Sequence, residues 1–160
     1  MVYLVHHAEA VSPAEEPARP LSPRGRAVAA LLADEAARLG VKPAVIWHSG
    51  KLRTRQTGEA FWRACNPLAS FSAERGLQPD DPPMWMLDRL SGETRDIMIV
   101  SHMPFLPRLL GALLGAHPDA ARTTFPMNGV VALAPDGDGW VEAWRLDPVS
   151  LIARTSGHPR

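Results

Sequence analysis

Four histidines stand where buried strands of the chain are predicted to end. The sequence contains six histidines in 160 residues. His6 and His7 directly follow the first apolar run, His48 follows the second, and His102 comes two residues after the third. An imidazole can act near neutral pH as a nucleophile, a proton carrier or a metal ligand. Ligands of open parallel sheets bind beyond the carboxyl ends of the strands, so these histidines are candidates for one site.

Each of these histidines also has a purely structural interpretation. A single histidine at a strand end commonly packs or caps, and adjacent strand residues point to opposite faces. His6 and His7 can share a site only if the strand ends there, which the loop-like residues after Ala8 favour. The other two, His117 and His158, fall in a predicted loop and a predicted tail, where solvent exposure explains them.

The apolar pattern predicts the elements that position these residues. Residues 2–5, 45–47 and 97–100 are short apolar runs typical of buried strands. A helix is predicted to begin at Ser22-Pro23 and to end before Gly40. Further helices are expected over residues 52–64, 84–90 and 104–114. Residues 130–133 and 141–146 predict a hairpin around the turn-like sequence 135–139.

Alternating strands and helices imply an α/β fold. We expect three layers, with a mostly parallel central sheet, helices on both faces and a C-terminal antiparallel edge hairpin. A chain of this length is long enough to bury one substantial core. The expected organisation is a single domain over residues 1–149, with 150–160 as a loose tail.

Composition narrows the class of partner. The chain has 17 basic and 17 acidic residues, a formal net charge of zero, and an ordinary hydrophobic fraction of 46%. Nucleic-acid binders gain most of their affinity by neutralising phosphates, so no nucleic-acid partner is expected. A small phosphorylated ligand needs only a local cluster of positive charge.

Nothing in the sequence predicts export or membrane insertion. The N-terminal apolar run is short and has no basic segment before it. The longest apolar stretch, 105–116, is interrupted by Pro107, Arg108 and two glycines, so it cannot span a bilayer. The one cysteine, Cys65, cannot form an intrachain disulfide and is expected to pack rather than react. We expect a cytoplasmic protein without a membrane partner.

Five segments of the chain carry a family pattern in order. They are LVHHAEA at residues 4–10, RPLS at 19–22 with Gly25 after it, SGKLR at 49–53 with Gln56-Thr57 after it, VSHMP at 100–104, and residues 123–133 with Asn128-Gly129. Together they resemble the motifs of the histidine phosphatase superfamily, especially its SixA-type phosphohistidine phosphatases. The resemblance covers about residues 1–147 and implies a phosphoglycerate mutase-like fold.

The resemblance also implies roles for individual residues. His7 would be the nucleophile that forms a phosphohistidine intermediate, Arg53 would hold the phosphoryl oxygens, and His102 would donate to the same oxygens. Phosphoryl transfer depends mainly on positioning and positive charge, which agrees with this set. The remaining candidates for contact with the substrate are His6, Arg19, His48 and Ser49. No cofactor is implied, and the expected partner is a phosphorylated protein or a small phosphorylated substrate.

This chain departs from the family pattern beside the nucleophile. The family has arginine before the nucleophilic histidine, whereas this chain has His6. Arginine is always charged and offers a planar fork of donors, while histidine has at most two donors. Gly50 also replaces the usual proline. The general acid is undefined, and its candidates are Asp80, Asp81 and Glu74, whose alternative interpretation is a solvated loop.

Three functions therefore stay open from the sequence. The first is a phosphohistidine phosphatase that uses covalent catalysis. The second is a phospho-ligand binding protein with weak or no turnover, because His6 weakens one anion ligand. The third is a metal site built from the four strand-end histidines, although their spacing matches no usual metal motif and Arg53 nearby would repel a cation.

Overall fold

A computed structural model describes residues 1–115 and 124–157, which form a six-stranded sheet with five helices. The elements in chain order are β1 (Val2–His6), α1 (Pro23–Arg38), β2 (Val45–His48), α2 (Leu52–Cys65), β3 (Ser70–Ala73), α3 (Pro83–Ser91), β4 (Ile97–Ser101), α4 (Phe105–Leu113), β5 (Val130–Asp136), β6 (Gly139–Leu146) and α5 (Pro148–Ser156). His117, His158 and Thr123 lie outside the described residues.

The sheet has the strand order β3-β2-β4-β1-β5-β6. β3, β2, β4 and β1 run parallel, while β5 pairs antiparallel with both β1 and β6. In the register of neighbouring strands, His6 pairs with Ser101 and His48 pairs with Val100. The carboxyl ends of β1, β4 and β2 are therefore side by side. The strand order and the antiparallel pairing of β5 with β6 confirm the expected mostly parallel sheet with an antiparallel edge hairpin.

The core lies on both faces of this sheet. On one face, Leu4 and Ile99 pack with Phe105 of α4. On the other, Val5 packs in a cluster with Leu32 of α1 and Phe61 of α2. Each fully buried side chain of this size contributes about 1.5–3 kcal/mol of burial free energy. The three-layer arrangement therefore follows from strands that are apolar on both faces.

The first helix has the ends that its sequence predicts. The Ser22 side chain accepts a hydrogen bond from the Gly25 amide, and Pro23 occupies the first turn. Gly40 follows the helix with a φ of 84°, a conformation that glycine adopts without strain. Gly25 is also required for packing, because a Cβ there would lie 2.0 Å from the Glu9 carbonyl oxygen. That close approach fixes α1 against the segment after His7.

Two elements differ from the sequence expectation. β3 was not predicted, because SFSA is short, contains two serines and lies at the sheet edge with no fully buried residue. The segment expected as a loose tail is helical through Ser156, and its Leu151 is buried. Asp147 caps this helix and Pro148 occupies its first turn, the same signature that begins α1. Within the described residues, no helix is long and apolar enough to cross a membrane.

Candidate active site

His7 lies just past the end of β1 with its ring fixed by the backbone. Its amide donates to the Ser101 carbonyl oxygen at 3.1 Å. Its Nδ1 lies 2.8 Å from the Ala8 carbonyl oxygen. A carbonyl can only accept, so Nδ1 carries the proton and Nε2 carries the lone pair. The ring is therefore oriented with its nucleophilic nitrogen directed away from the backbone.

The environment of His7 keeps this lone pair unprotonated. Burial, opposed by the hydrogen bond to Ala8 and assisted by the charges of Arg53 and Arg19, lowers the pKa of His7 to about 4. At neutral pH the imidazole is neutral, which is the nucleophilic form. Both guanidinium groups thus act electrostatically on His7.

His6 is buried beside His7 and is held by a different backbone group. The two ring centroids are 4.5 Å apart. The Asn128 amide donates to Nδ1 of His6 at 2.8 Å, so Nδ1 is an acceptor and the proton is on Nε2. Burial, then His7 and Arg53, lower the pKa of His6 to about 3. His6 is thus neutral, with a single N–H for a ligand where the family's arginine has a charged fork.

Asn128 fixes both histidines at once. Besides its amide bond to His6, its side-chain Nδ2 donates to the His7 carbonyl oxygen at 2.7 Å. Its φ is 55°, a left-handed conformation that asparagine tolerates better than most residues. The Gly129 carbonyl oxygen accepts from the His6 amide at 3.0 Å. The sequence shows Asn128-Gly129 only as part of a motif, whereas the contacts of Asn128 join residues over 120 positions apart.

His102 faces His7 from the end of β4, with the ring centroids 5.3 Å apart. Its Nε2 lies 2.7 Å from Oγ of Ser49, which in turn lies 3.0 Å from the Thr54 hydroxyl. Nδ1 of His102 is buried without a hydrogen-bond partner among the described residues. Burial, then the charges of His7 and Arg53, lower the pKa of His102 to about 3. Its second nitrogen is therefore a buried polar atom that no hydrogen bond within the described residues satisfies.

Arg53 and Arg19 add two permanent positive charges to the cluster formed by His6, His7 and His102. Arg53 lies in the first turn of α2, and its buried Nε has no hydrogen-bond partner among the described residues. Burial and the Arg19 charge lower the pKa of Arg53. Within residues 1–115 and 124–157, no ion pair includes either arginine. Two guanidinium groups without a paired carboxylate among the described residues make this a candidate anion-binding site.

Arg19 is held in a strained backbone conformation. Its φ is 51°, and its Nε donates to the Val11 carbonyl oxygen at 3.1 Å. Left-handed backbone at a residue other than glycine costs free energy and concentrates at functional sites. Within the described residues, only Nε of its guanidinium group forms a hydrogen bond.

The Gln-Thr pair of α2 braces the segments that hold these residues. Oγ1 of Thr57 accepts from the Ala8 amide at 3.0 Å and donates to the Arg53 carbonyl oxygen at 2.7 Å. Oε1 of Gln56 accepts from the Leu21 amide at 2.7 Å. The motif therefore fixes the loop after His7 and the segment after Arg19 onto one helix.

His48 lies outside this cluster. It shares the sheet face of Ile46, packs against the Phe71 ring at 5.0 Å, and accepts from the Gly50 amide at 3.1 Å. Burial and the Arg55 charge lower its pKa. This position favours a packing role for His48 over the expected contact with the substrate, because the period-two alternation of β2 turns its side chain toward α2.

The three candidate acids have other partners. Glu74 pairs with Arg89 at 3.1 Å, and Oδ2 of Asp81 accepts from the Gln78 amide at 2.8 Å. Asp80 is exposed. The structure does not bring these three into contact with His7 or His102, but Glu74 and Asp81 line a neighbouring cleft of about 420 Å³ that includes Ser49.

The four strand-end histidines were also candidates for a metal site. Over residues 1–115 and 124–157, no three or more His, Cys, Asp or Glu side chains are grouped so that they could hold a metal ion. The site is instead a cluster of neutral imidazoles beside two guanidinium groups. Lys51, which sequence reasoning did not single out, adds a further positive charge that lowers the pKa of His102.

The fold has close counterparts among solved structures. One is a protein assigned as the phosphohistidine phosphatase SixA of Agrobacterium tumefaciens, 28% identical over 92% of this chain and 97% of that chain, with a TM-score of 0.75. Another is the protein histidine phosphatase SixA complexed with tungstate, 22% identical over 94% and 98% of the two chains, with a TM-score of 0.80. A mutant phosphoserine phosphatase from Entamoeba histolytica is 13% identical over 92% and 96%, with a TM-score of 0.68.

These neighbours are SixA phosphohistidine phosphatases and other members of the histidine phosphatase superfamily. The mixed sheet and its five helices match the phosphoglycerate mutase-like fold, as the sequence resemblance implied. The sequence matches no protein-family profile and no curated protein.

Proposed function

We propose that the protein is a phosphatase that removes the phosphoryl group of a phosphohistidine residue in a partner protein, through a covalent intermediate on His7. The observation that carries this proposal is the ring of His7. Its Nδ1 is held by the Ala8 carbonyl oxygen, its ring centroid lies 5.3 Å from that of His102, and the charges of Arg53 and Arg19 act on it. A setting in cytoplasmic bacterial signalling belongs to the same proposal.

The solved neighbours support this function at the level of the reaction. They are phosphatases of one superfamily, and two that bear the SixA name are 28% and 22% identical to this chain. One of them was solved with tungstate, a tetrahedral oxyanion similar in shape to phosphate. An oxyanion of this kind suits the two guanidinium groups of Arg53 and Arg19.

The first chemical step transfers the phosphoryl group to His7. The Nε2 lone pair forms a bond to phosphorus while the P–N bond of the substrate breaks. The electrons of that bond leave with the substrate imidazole, which takes a proton from water. Arg53 and Arg19 balance the charge of the phosphoryl oxygens, and Nδ1–H of His102 donates to them when Ser49 donates to Nε2 of His102.

The second step hydrolyses the phosphohistidine on His7. Water attacks phosphorus, the P–Nε2 bond breaks, and its electrons return to the imidazole. The proton of the water passes to solvent, and phosphate leaves. The hydrogen bond to Ala8 keeps the same tautomer of His7 in both steps, so the ring needs no rearrangement between them.

The hydrogen bonds and ion pairs of the candidate general acids favour a phosphohistidine substrate over a stable phosphate monoester. Stable phosphate monoesters release an alkoxide, which needs a well-placed general acid. Here Glu74 is paired with Arg89, and Asp81 accepts from a backbone amide. The P–N bond is labile, and its imidazole leaving group needs less help.

The test is a quench of the enzyme in mid-turnover with a phosphorus-labelled phosphohistidine protein. We expect label on His7 that is lost in acid and retained in base. His7→Asn should abolish both label and turnover. His48→Asn is the matched control: the asparagine oxygen still accepts from the Gly50 amide, so label and turnover should persist. Label on another residue, or turnover without label on His7, contradicts the mechanism.

The neutral state of His6 supports a second candidate, a phospho-ligand binding protein without turnover. One strong anion ligand of the family is reduced to a single N–H. This candidate predicts phosphate binding that is lost in Arg53→Gln, together with no hydrolysis of phosphoproteins or monoesters. Robust hydrolysis by the wild-type chain rules it out.

A further inference from the structure

A cleft of about 420 Å³ opens beside the phosphoryl site and shares Ser49 with it. The carbonyl oxygen of Ser49 accepts from Nε2 of Gln78 at 2.7 Å, while the Ser49 hydroxyl contacts His102. Ser49 therefore contacts both a residue that lines the cleft and the imidazole of His102. Pockets of this volume hold groups much larger than a phosphoryl group. The cleft therefore has room for the leaving group, which is the part of the substrate from which the phosphoryl group is removed.

An exposed tryptophan forms one wall of the cleft. Trp85 lies in the first turn of α3 with 57% of its surface exposed, although the same helix buries Met86 and Leu90. The indole rests against Gly76, where a Cβ would lie 3.8 Å from its Cε3. The ring is thus supported from one side and accessible from the cleft. Such a ring offers a flat apolar surface on which another planar ring can stack.

Among the described residues that line the cleft, Arg75 is a cation without an ion-pair partner. Glu74 pairs with Arg89, whose guanidinium also lies 4.1 Å from the centre of the Trp47 ring. Asp81 accepts from the Gln78 amide. Arg75 lines the same cleft, is exposed, and takes part in no ion pair formed within the described residues. A ligand beside Trp85 that carries a carboxylate would find its partner in Arg75.

We propose that this cleft binds the leaving-group side of the substrate, with the imidazole of phosphohistidine stacked on Trp85 and an acidic side chain near it on the partner protein paired with Arg75. This proposal rests on the proposed function, because it concerns the group that departs when His7 is phosphorylated. It adds two residues that select the substrate and take no part in the transfer itself.

The test compares a ringed substrate with a ringless one. Phosphoramidate carries the same labile P–N bond without an imidazole, and a phosphohistidine peptide carries both. We expect Trp85→Ala to raise KM for the peptide about two- to tenfold, the size of an aromatic pair, and to leave KM for phosphoramidate unchanged. Trp85→Phe should recover most of the loss.

Met84→Ala is the matched control, because Met84 is similarly exposed on α3 but does not line the cleft. It should leave both KM values unchanged. Equal effects of Trp85→Ala and Met84→Ala, or an equal effect of Trp85→Ala on both substrates, overturn the stacking proposal.

A second comparison tests the charge. Peptides with glutamate or glutamine beside the phosphohistidine should differ in KM for the wild type, by an amount that falls with added salt. Arg75→Gln should remove that preference, and a preference that survives overturns the pairing.

The two proposals fail in different ways. Wild-type turnover of phosphoramidate with label on His7 supports the catalytic proposal whatever Trp85→Ala does. If neither substrate turns over, the catalytic proposal fails. The cleft is then tested by the dissociation constant of a stable phosphonate analogue of the peptide, which should rise in Trp85→Ala and stay unchanged in Met84→Ala.

Discussion

Replacing His6 by arginine exchanges a neutral donor for a charged one and removes a hydrogen-bond acceptor. In the wild type, Nδ1 of His6 accepts from the Asn128 amide at 2.8 Å, and only 5% of the His6 surface is exposed. Arginine has no acceptor, so His6→Arg leaves that amide without its partner. The same change restores the planar fork of donors beside His7.

Both consequences have a calculable size. Leaving a buried amide unsatisfied costs about 1–3 kcal/mol of unfolding free energy. For a chain of this length, that corresponds to a fall in Tm of roughly 2–12 °C. A charge-assisted bond is stronger than the neutral bond from Nε2 of His6 by about 1–1.5 kcal/mol. Applied to the transition state, that difference raises kcat/KM roughly five- to twelvefold.

The assay pairs thermal unfolding with kcat/KM on a phosphohistidine peptide. His6→Asn is the control, because its side-chain oxygen can still accept from the Asn128 amide while bringing no charge. It should keep a Tm near that of the wild type and should not gain activity. An unchanged Tm in His6→Arg refutes the acceptor role of Nδ1, and an unchanged or lower kcat/KM shows that neutral His6 has a role of its own.

Three further outcomes follow from the contacts. Asn128→Ala should lower both Tm and kcat/KM, because it removes the hydrogen bond to the His7 carbonyl oxygen and places alanine at a φ of 55°. Asn128→Gly adopts that φ without strain and should lower mainly kcat/KM. Equal Tm and kcat/KM values for the two variants contradict the proposed role of Asn128 in holding His7. Gly25→Ala should cost more than about 1 kcal/mol of unfolding free energy, since its methyl meets the Glu9 carbonyl oxygen, while Gly92→Ala, with nothing within 4 Å, should be neutral by denaturant titration. The pH profile of kcat/KM should stay flat from pH 8 to below 6 and fall only as pH approaches about 4, because protonation of His7 removes its lone pair; a fall centred near 6.5 would show an unperturbed imidazole.

The positions of the strand-end residues were predictable from the sequence because the strands are short, apolar and followed at once by polar residues. His6, His7 and His102 come together for that reason. His48 shows the limit of the reasoning. A strand-end position fixes the edge of the sheet but not the face, and His48 follows the side of Ile46. The alternation within β2 contains this information.

Other features depend on contacts that no local pattern encodes. The tautomer of His6 is set by the Asn128 amide, more than 120 residues away in the chain. The orientation of the site loops depends on Thr57 and Gln56, whose hydrogen bonds join α2 to Ala8 and Leu21. By contrast, α5 was not predicted although the sequence contains a local signal for it. Asp147 is a capping residue followed by proline, as Ser22 is at the start of α1.

The positive charge of Arg53 and Arg19 determines how strongly a phosphoryl group can bind in a chain that has His6 in place of arginine. The described histidines of the cluster are neutral, so the fixed charge close to His7 comes from Arg53 and Arg19. A phosphoryl group carries a charge of about −1.5 to −2, which two guanidinium groups can match. Arg19 has a left-handed backbone conformation, and an anionic partner for its guanidinium group would offset the cost of that conformation. We therefore expect phosphate binding by this chain to depend on Arg53 and Arg19, which the family pattern also contains, without the third guanidinium group that the pattern has before His7.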